Sequence, residues 1–204
     1  RVLFRSDELA ALIKRVKTTT NKPTGIKFVL GCSEDLDDLL TGFIKHEVFP
    51  SFITLDSADG GTGAAPAALM DHVGLTIDKS LPLLMQRLSA YGLRDRILVC
   101  VSGKLIMPAD IAWALAQGAV AVNTARGAMF ALGCIQALQC HANTCPTGIT
   151  THNERLKKGL DPISKSQRVG NFIINTKKQV GYIAHSTGAA CARSIDPMRV
   201  MRND

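Results

Sequence analysis

Long apolar runs are missing from this sequence, and so is a charged-then-apolar leader at its start. The first absence excludes a membrane-spanning helix, which needs about 20 consecutive apolar residues. The second means only that no signal-peptide pattern stands at the start of these residues. Internal repeats and low-complexity tracts are also lacking, so a repeat architecture is excluded. What remains is a chain of 204 residues, 46% hydrophobic and 20% charged, enough for one ordinary globular domain with a substantial core. Six cysteines without the look of a small disulfide scaffold point to a reducing compartment, so a cytoplasmic location is expected. The chain opens Arg1-Val2-Leu3 without a methionine and is expected to be a fragment or a processed piece.

Charge is unevenly placed. Residues 150–204 hold ten Lys or Arg against four acids, which accounts for +6 of the net +7. A basic region of this kind suits nucleic acid, an anionic membrane or an acidic neighbour. Without interleaved aromatics or a nucleic-acid motif, a solvated or partner-facing surface is the preferred reading, with no nucleic-acid and no membrane partner.

Apolar periodicity then divides the chain. Leu9, Leu12, Ile13 and Val16 predict a helix over 7–18, with Ser6 as its N-cap. Residues 25–31 predict a short strand interrupted by Lys27. Two readings of that lysine stand: an edge strand with the ammonium in water, or a cation aimed into a site that holds an anion. The second is preferred, because a lone lysine in a buried strand needs a partner. Ser33 and the acids after it open a second helix. A strand over 52–55 runs into Asp56-Ser57-Ala58-Asp59-Gly60-Gly61-Thr62-Gly63-Ala64-Ala65-Pro66, whose glycines let backbone amides approach a ligand. A helix over 79–91, a strand over 97–101 ending in Ser102-Gly103-Lys104, a helix from Pro108 and a strand over 119–123 ending in Thr124-Ala125-Arg126-Gly127 follow. The next helix is expected over 128–137.

Strand, loop and helix thus recur four times. Such units build either an open doubly wound sheet or part of a (β/α)₈ barrel. The glycine-rich and polar loops all follow strand C-termini, and the last two end in helix starts suited to a phosphate, which favours the barrel. The fold expected is α/β: the C-terminal half of a TIM barrel over 1–133, a cysteine loop over 134–150 and a basic helical tail over 151–204. One tail helix is expected over 166–183.

Cys134, Cys140 and Cys145 lie close together in the loop, with His141 and His152 nearby. Soft thiolates at such spacing suit an iron–sulfur or zinc site. Buried small hydrophobes or a redox pair fit the same residues, and spacing alone leaves these open.

Several motifs together resemble one family. Gly25-Ile26-Lys27, Asp59 to Pro66, Gly92-Leu93-Arg94-Asp95-Arg96, Ser102-Gly103-Lys104, the run from Ala125 to Gln136, Cys140-His141 and Asn143-Thr144-Cys145-Pro146-Thr147-Gly148 are similar to the FMN-binding synthase domain of glutamate synthase. Gly-Ala-Ala-Pro and Ala-Arg-Gly are nearer to its short, stand-alone members. The resemblance implies a TIM barrel with FMN across its mouth, in which 2-oxoglutarate and ammonia condense to 2-iminoglutarate. Reduced FMN then converts this to glutamate by hydride transfer, with electrons arriving through a 3Fe-4S cluster.

Carried onto this chain, the resemblance places Lys27 beside the flavin and the substrate carbonyl as the catalytic residue. Ser57, Gly60, Gly61, Thr62 and Gly63 line the flavin, while Ser102, Gly103, Lys104, Thr124, Ala125 and Arg126 hold its phosphate end. Cys134, Cys140 and Cys145 become the cluster ligands. Ammonia, free or derived from glutamine, and an electron donor would come from outside.

Competing expectations are a related flavoenzyme acting on another amino or N-alkyl amino acid, and a non-catalytic barrel fragment that self-associates or lacks the N-terminal half. An oxidase of 2-hydroxy acids would show a His-x-x-Arg pair, and none follows Ser102-Gly103.

Overall fold

The computed structural model describes residues 6–61, 68–69 and 72–202. Four βα units come first: α1 (Ser6–Thr20), β1 (Gly25–Val29), α2 (Ser33–Lys45), β2 (Phe52–Asp56), α3 (Ile77–Ala90), β3 (Leu98–Ser102), α4 (Pro108–Ala116), β4 (Ala121–Asn123) and α5 (Ala125–Leu132). A single 3₁₀ turn at Cys140–Ala142 and a short α6 (Glu154–Lys157) lead to the 25-residue α7 (Pro162–Ser186) and two closing 3₁₀ turns.

The strands form one parallel sheet in the order β1-β2-β3-β4. Sequential order matters, because a doubly wound sheet reverses direction and is covered on both faces, whereas right-handed crossovers without reversal put every helix on one side. Burial confirms the one-sided arrangement. Ile53, Leu55, Val99 and Val101 are fully enclosed with Leu36, Leu40, Phe43, Leu81, Leu84, Leu88 and Ala112. The alternate residues Lys27, Val29 and Leu98 face outward and are exposed. The chain is a partial TIM barrel whose sheet keeps its would-be lumen face open. Each fully enclosed Leu or Ile contributes on the order of 2 kcal/mol, so the helix-covered face carries the stability.

Helix ends depart from the sequence reading in instructive ways. Ser6 lies in the first turn of α1 and donates to Asp38. The N-cap of α2 is Cys32, whose side chain makes no capping bond, and Ser33 is already helical. The helix expected over 128–137 instead spans Ala125–Leu132. Gly133 ends it at φ 99°, with Gly133 N donating to Phe130 O and Cys134 N to Met129 O, both 2.9 Å. That paired pattern is a Schellman ending, for which a left-handed glycine is the natural residue. The tail helix starts four residues earlier than expected. Asp161 accepts from Ile163 N and Ser164 N, and Pro162 occupies the first helical position.

The tail folds back onto the barrel. Phe172 of α7 lies over Gly127 of α5, and Val180, Ala184, Ile195 and Val200 are buried against the same core. Among the described residues, no helix is long and apolar enough to cross a membrane.

Candidate flavin and substrate site

The site assembles at the C-terminal ends of the strands, because that is where four loops leave one sheet edge. Lys27, in the middle of β1, places Nζ 2.7 Å from Asp56 Oδ2 at the end of β2. The lysine side chain is 62% exposed and Asp56 only 16%. The ammonium is therefore neither adrift in solvent nor buried: it stands on the open sheet face, steered by the neighbouring strand. A pair this exposed adds about 1 kcal/mol or less to stability. Its effect is to orient.

Asp56 Oδ1 also accepts from Ser57 N at 3.1 Å, which starts a tight loop. Ser57 Oγ donates to Asp59 Oδ1, and the same oxygen accepts from Ile77 N at 3.3 Å. Ile77 is the first residue of α3, so Asp59 satisfies an amide that the helix itself leaves unpaired. Gly60 N returns to Ser57 O at 3.0 Å. Gly103 packs against this loop from β3. At φ 137°, a Cβ there would stand 1.9 Å from Ser57 Oγ, so only glycine fits. Lys104 follows in the same turn at φ 41°.

From the first turn of α5, just after β4, Arg126 donates through Nη2 to Gly61 O at 3.3 Å. Lys27, Ser57, Gly60, Gly61, Gly103 and Arg126 thus belong to one connected rim. Thr124 and Ala125 sit at the start of α5, where Thr124 Oγ1 is buried without a hydrogen-bond partner. Thr62 and Gly63 lie outside the described residues. Sequence reasoning missed Asp56 and Asp59 as organisers; the one signal for them was their position directly after a strand and before the glycines.

The motif Gly92-Leu93-Arg94-Asp95-Arg96 belongs to the opposite rim. Arg94 donates to Gly118 O at 3.0 Å just before β4, and Arg96 stacks over Phe49 at 4.4 Å. Both are framework contacts at strand N-termini.

The cysteine loop wraps irregularly. Gln136, Leu138 and Asn143 all adopt positive φ, near 55–60° by the values 56°, 54° and 61°. Such backbone in non-glycine residues is costly and persists only where surroundings enforce it. Cys145 is buried, with Sγ 3.3 Å from Thr147 Oγ1. Burial pushes its thiol up, but hydrogen bonds from Thr147 and Thr150 outweigh that and bring it down to about 6. Among the described residues, no three His, Cys, Asp or Glu side chains stand together as a metal-holding set. Cys134, Cys140 and Cys145 therefore share a loop but are not converged.

Comparison with known proteins decides the family. The family model described as a conserved region in glutamate synthase matches residues 3–190. The chain belongs to the glutamate synthase family. It is 43% identical over 181 residues to the glutamate synthase large subunit-like protein YerD of Bacillus subtilis, covering 89% of this chain and 34% of that relative. It is 34% identical over 203 residues to the archaeal glutamate synthase [NADPH] of Methanocaldococcus jannaschii, covering 98% of this chain and 38% of the relative. The glutamate synthase [NADPH] large chain of Bacillus subtilis is 32% identical over 156 residues, 76% of this chain and 10% of the relative. The chain thus spans about a third of the length of the first two.

For this glutamate synthase family chain, the residues present fit a phosphate-bearing flavin. The unpartnered Thr124 hydroxyl, the first turn of α5 and the Arg126 guanidinium are donors of the kind a phosphate takes at a helix start. For a cluster, the donor chemistry fits and the arrangement does not, because the three thiols are not gathered.

Proposed function

We propose that this chain supplies the C-terminal portion of an FMN-binding barrel in a glutamate synthase-like enzyme that reductively aminates 2-oxoglutarate by way of 2-iminoglutarate. The observation that carries the reading is the connected rim: Lys27 on the open face, the Ser57–Asp59–Gly61 loop beside it, and the unsatisfied start of α5 across from both. FMN, when bound, supplies the hydride. The protein's part is electrostatic and positional. Thr124, Ala125 and Arg126, with Ser102, Gly103 and Lys104 on the adjoining strand end, hold the phosphate. The Lys27 ammonium, oriented by Asp56, stands where it stabilises negative charge on the reduced flavin and polarises the substrate carbonyl. Thr62 and Gly63 complete the same loop in this proposal.

Cys134, Cys140 and Cys145 are proposed as ligands of a 3Fe-4S cluster on their soft donor chemistry and shared loop, with the loop having to gather them around it; no step is routed through it. The enzyme is proposed to work in the cytoplasm with an external electron donor and with ammonia, free or glutamine-derived. The open sheet face, bearing exposed Val29 and Leu98, favours a second point: further βα units close the barrel, and a 204-residue chain made alone self-associates through that face.

The test is a spectroscopic titration. Purified protein, anaerobic and with added FMN, develops a resolved flavin double band with quenched fluorescence, and a broad iron–sulfur absorbance where iron is incorporated. Protein carrying the further βα units forms glutamate from 2-oxoglutarate and ammonia with a chemical reductant. Failure of that longer protein to retain FMN overturns the reading. Sedimentation of the 204-residue chain as a compact monomer overturns the self-association.

A further inference from the structure

The basic tail contains one arginine that does not behave as a surface charge. Arg202 follows the last 3₁₀ turn, Pro197–Arg199, and its side chain is only 12% exposed. Ile195 and Val200, both buried, pin the segment to the core. Arg202 Nη2 lies 3.5 Å from Asp59 Oδ2, and Nε lies 3.6 Å from Asp110 Oδ1. The two carboxylates come from different units. Asp59 belongs to the loop after β2 and Asp110 to the first turn of α4, which follows β3.

Each carboxylate divides its oxygens in the same way. Asp59 Oδ1 takes the Ser57 hydroxyl and Ile77 N at the start of α3, leaving Oδ2 for Arg202. Asp110 Oδ2 takes Met107 N at the start of α4, leaving Oδ1 for Arg202. One cation therefore ties two helix starts together through two nearly buried acids, and the Ser57–Gly103 contact lies between them. Removing the cation would leave two poorly exposed like charges whose other partners among the described residues are neutral donors, a costly arrangement. Because Ser57 spends its proton on Asp59, its lone pairs are what it can offer an N–H group of a ligand.

We infer that Arg202 is a positioning residue for the flavin site: it sets Asp59, and through Asp59 the direction of Ser57 and the path of Gly60 and Gly61. The inference rests on the flavin-site reading, and it assigns a role to a residue outside the four βα units. The tail, on this view, reaches back to brace the rim that binds ligand.

The experiment uses Arg202→Met, which keeps the apolar stem, and Arg202→Lys, which keeps the charge. Two readouts are taken on protein that carries the further βα units: amide hydrogen exchange of Gly60 and Ile77 without FMN, and FMN affinity by fluorescence quenching. Arg202→Met is expected to speed exchange at both amides by about tenfold or more, while amides of β2 and β3 stay unchanged. It is also expected to weaken FMN by about tenfold, the scale of a lost charge-assisted hydrogen bond, and Arg202→Lys is expected to recover part of both. Unchanged exchange at Gly60 and Ile77 overturns the bracing. Faster exchange with unchanged FMN affinity shows a purely structural contact and overturns the positioning role. Unmodified protein that takes up no FMN refutes the flavin reading and with it the positioning role, while the exchange arm separately decides whether the brace exists.

Discussion

The two ends of the sheet use the same residue types for different ends. At the strand N-termini, cations are consumed by the framework: Arg94 holds Gly118 O, Arg96 covers Phe49, and Lys17 donates to Phe49 O at 2.9 Å. At the strand C-termini, Lys27 and Arg126 hold loop and sheet positions while their charges still face the rim, and Thr124 keeps an unspent hydroxyl. The difference teaches that a barrel's stability and its chemistry occupy opposite edges of one sheet. A cation whose hydrogen bonds are complete inside the fold has nothing left for a ligand.

Glycine substitutions press this contrast hardest. Gly103→Ala would drive a methyl into the Ser57 hydroxyl at a backbone angle foreign to alanine. A loss of about 2–3 kcal/mol and of FMN uptake is expected, read by thermal melting and flavin titration. Gly118→Ala is also strained, at φ 102°, but its methyl meets the side-chain ends of Arg94 and Met85, at 2.6 Å each, rather than the loop at the other rim. A smaller stability loss of about 1–2 kcal/mol with unchanged FMN affinity is expected. Equal effects on FMN would erase the distinction between the rims.

Lys27→Met comes next. It leaves the fold intact, since the Lys27–Asp56 pair is largely exposed, and it is expected to slow glutamate formation by about a hundredfold in the longer protein. FMN affinity should change much less, so the split between rate and affinity is the readout. Arg126→Ala should do the reverse, weakening FMN by about tenfold with little shift in melting temperature, whereas Arg94→Ala should lower the melting temperature and leave FMN binding alone.

The smallest expected effect concerns pH. Against the upward push of burial, hydrogen bonds from Thr147 and Thr150 bring the Cys145 thiol down to about 6 in the folded chain, from its ordinary 9.0 in the unfolded one. Its folded value is depressed, so the thiolate's contribution to stability is full above about 9, declines as pH falls, and is gone below about 6. Stability compared between the native chain and Cys145→Ala across that window should diverge as pH rises. Parallel curves would mean that the Thr147 and Thr150 hydrogen bonds do not favour the thiolate.

Much of this architecture was legible in order along the chain. The strands over 52–55 and 97–101 were legible from their apolar residues, and the glycines and polar residues after them announced loops. Helix ends were read less well. Gly133 and the pair Asp161-Pro162 were visible signals that periodicity overrode, so α5 was extended and α7 started late. At Lys27, reading a strand in isolation could not decide between water and a site, because the deciding group, Asp56, comes from the next strand in register. The three cysteines were legible as neighbours in sequence, yet nearness along a loop does not bring sulfurs to a common point.

The sequence by itself determined the βα rhythm, the loop chemistry at the strand ends and the family, because apolar period, turn residues and motif spacing act over a few residues at a time. Only the tertiary structure decided which face of the sheet stays open, that Asp56 steers Lys27, and that Arg202 meets Asp59 across 143 positions of chain. Those outcomes depend on charges and surfaces brought together by burial of the common core, and no local pattern encodes a partner that distant.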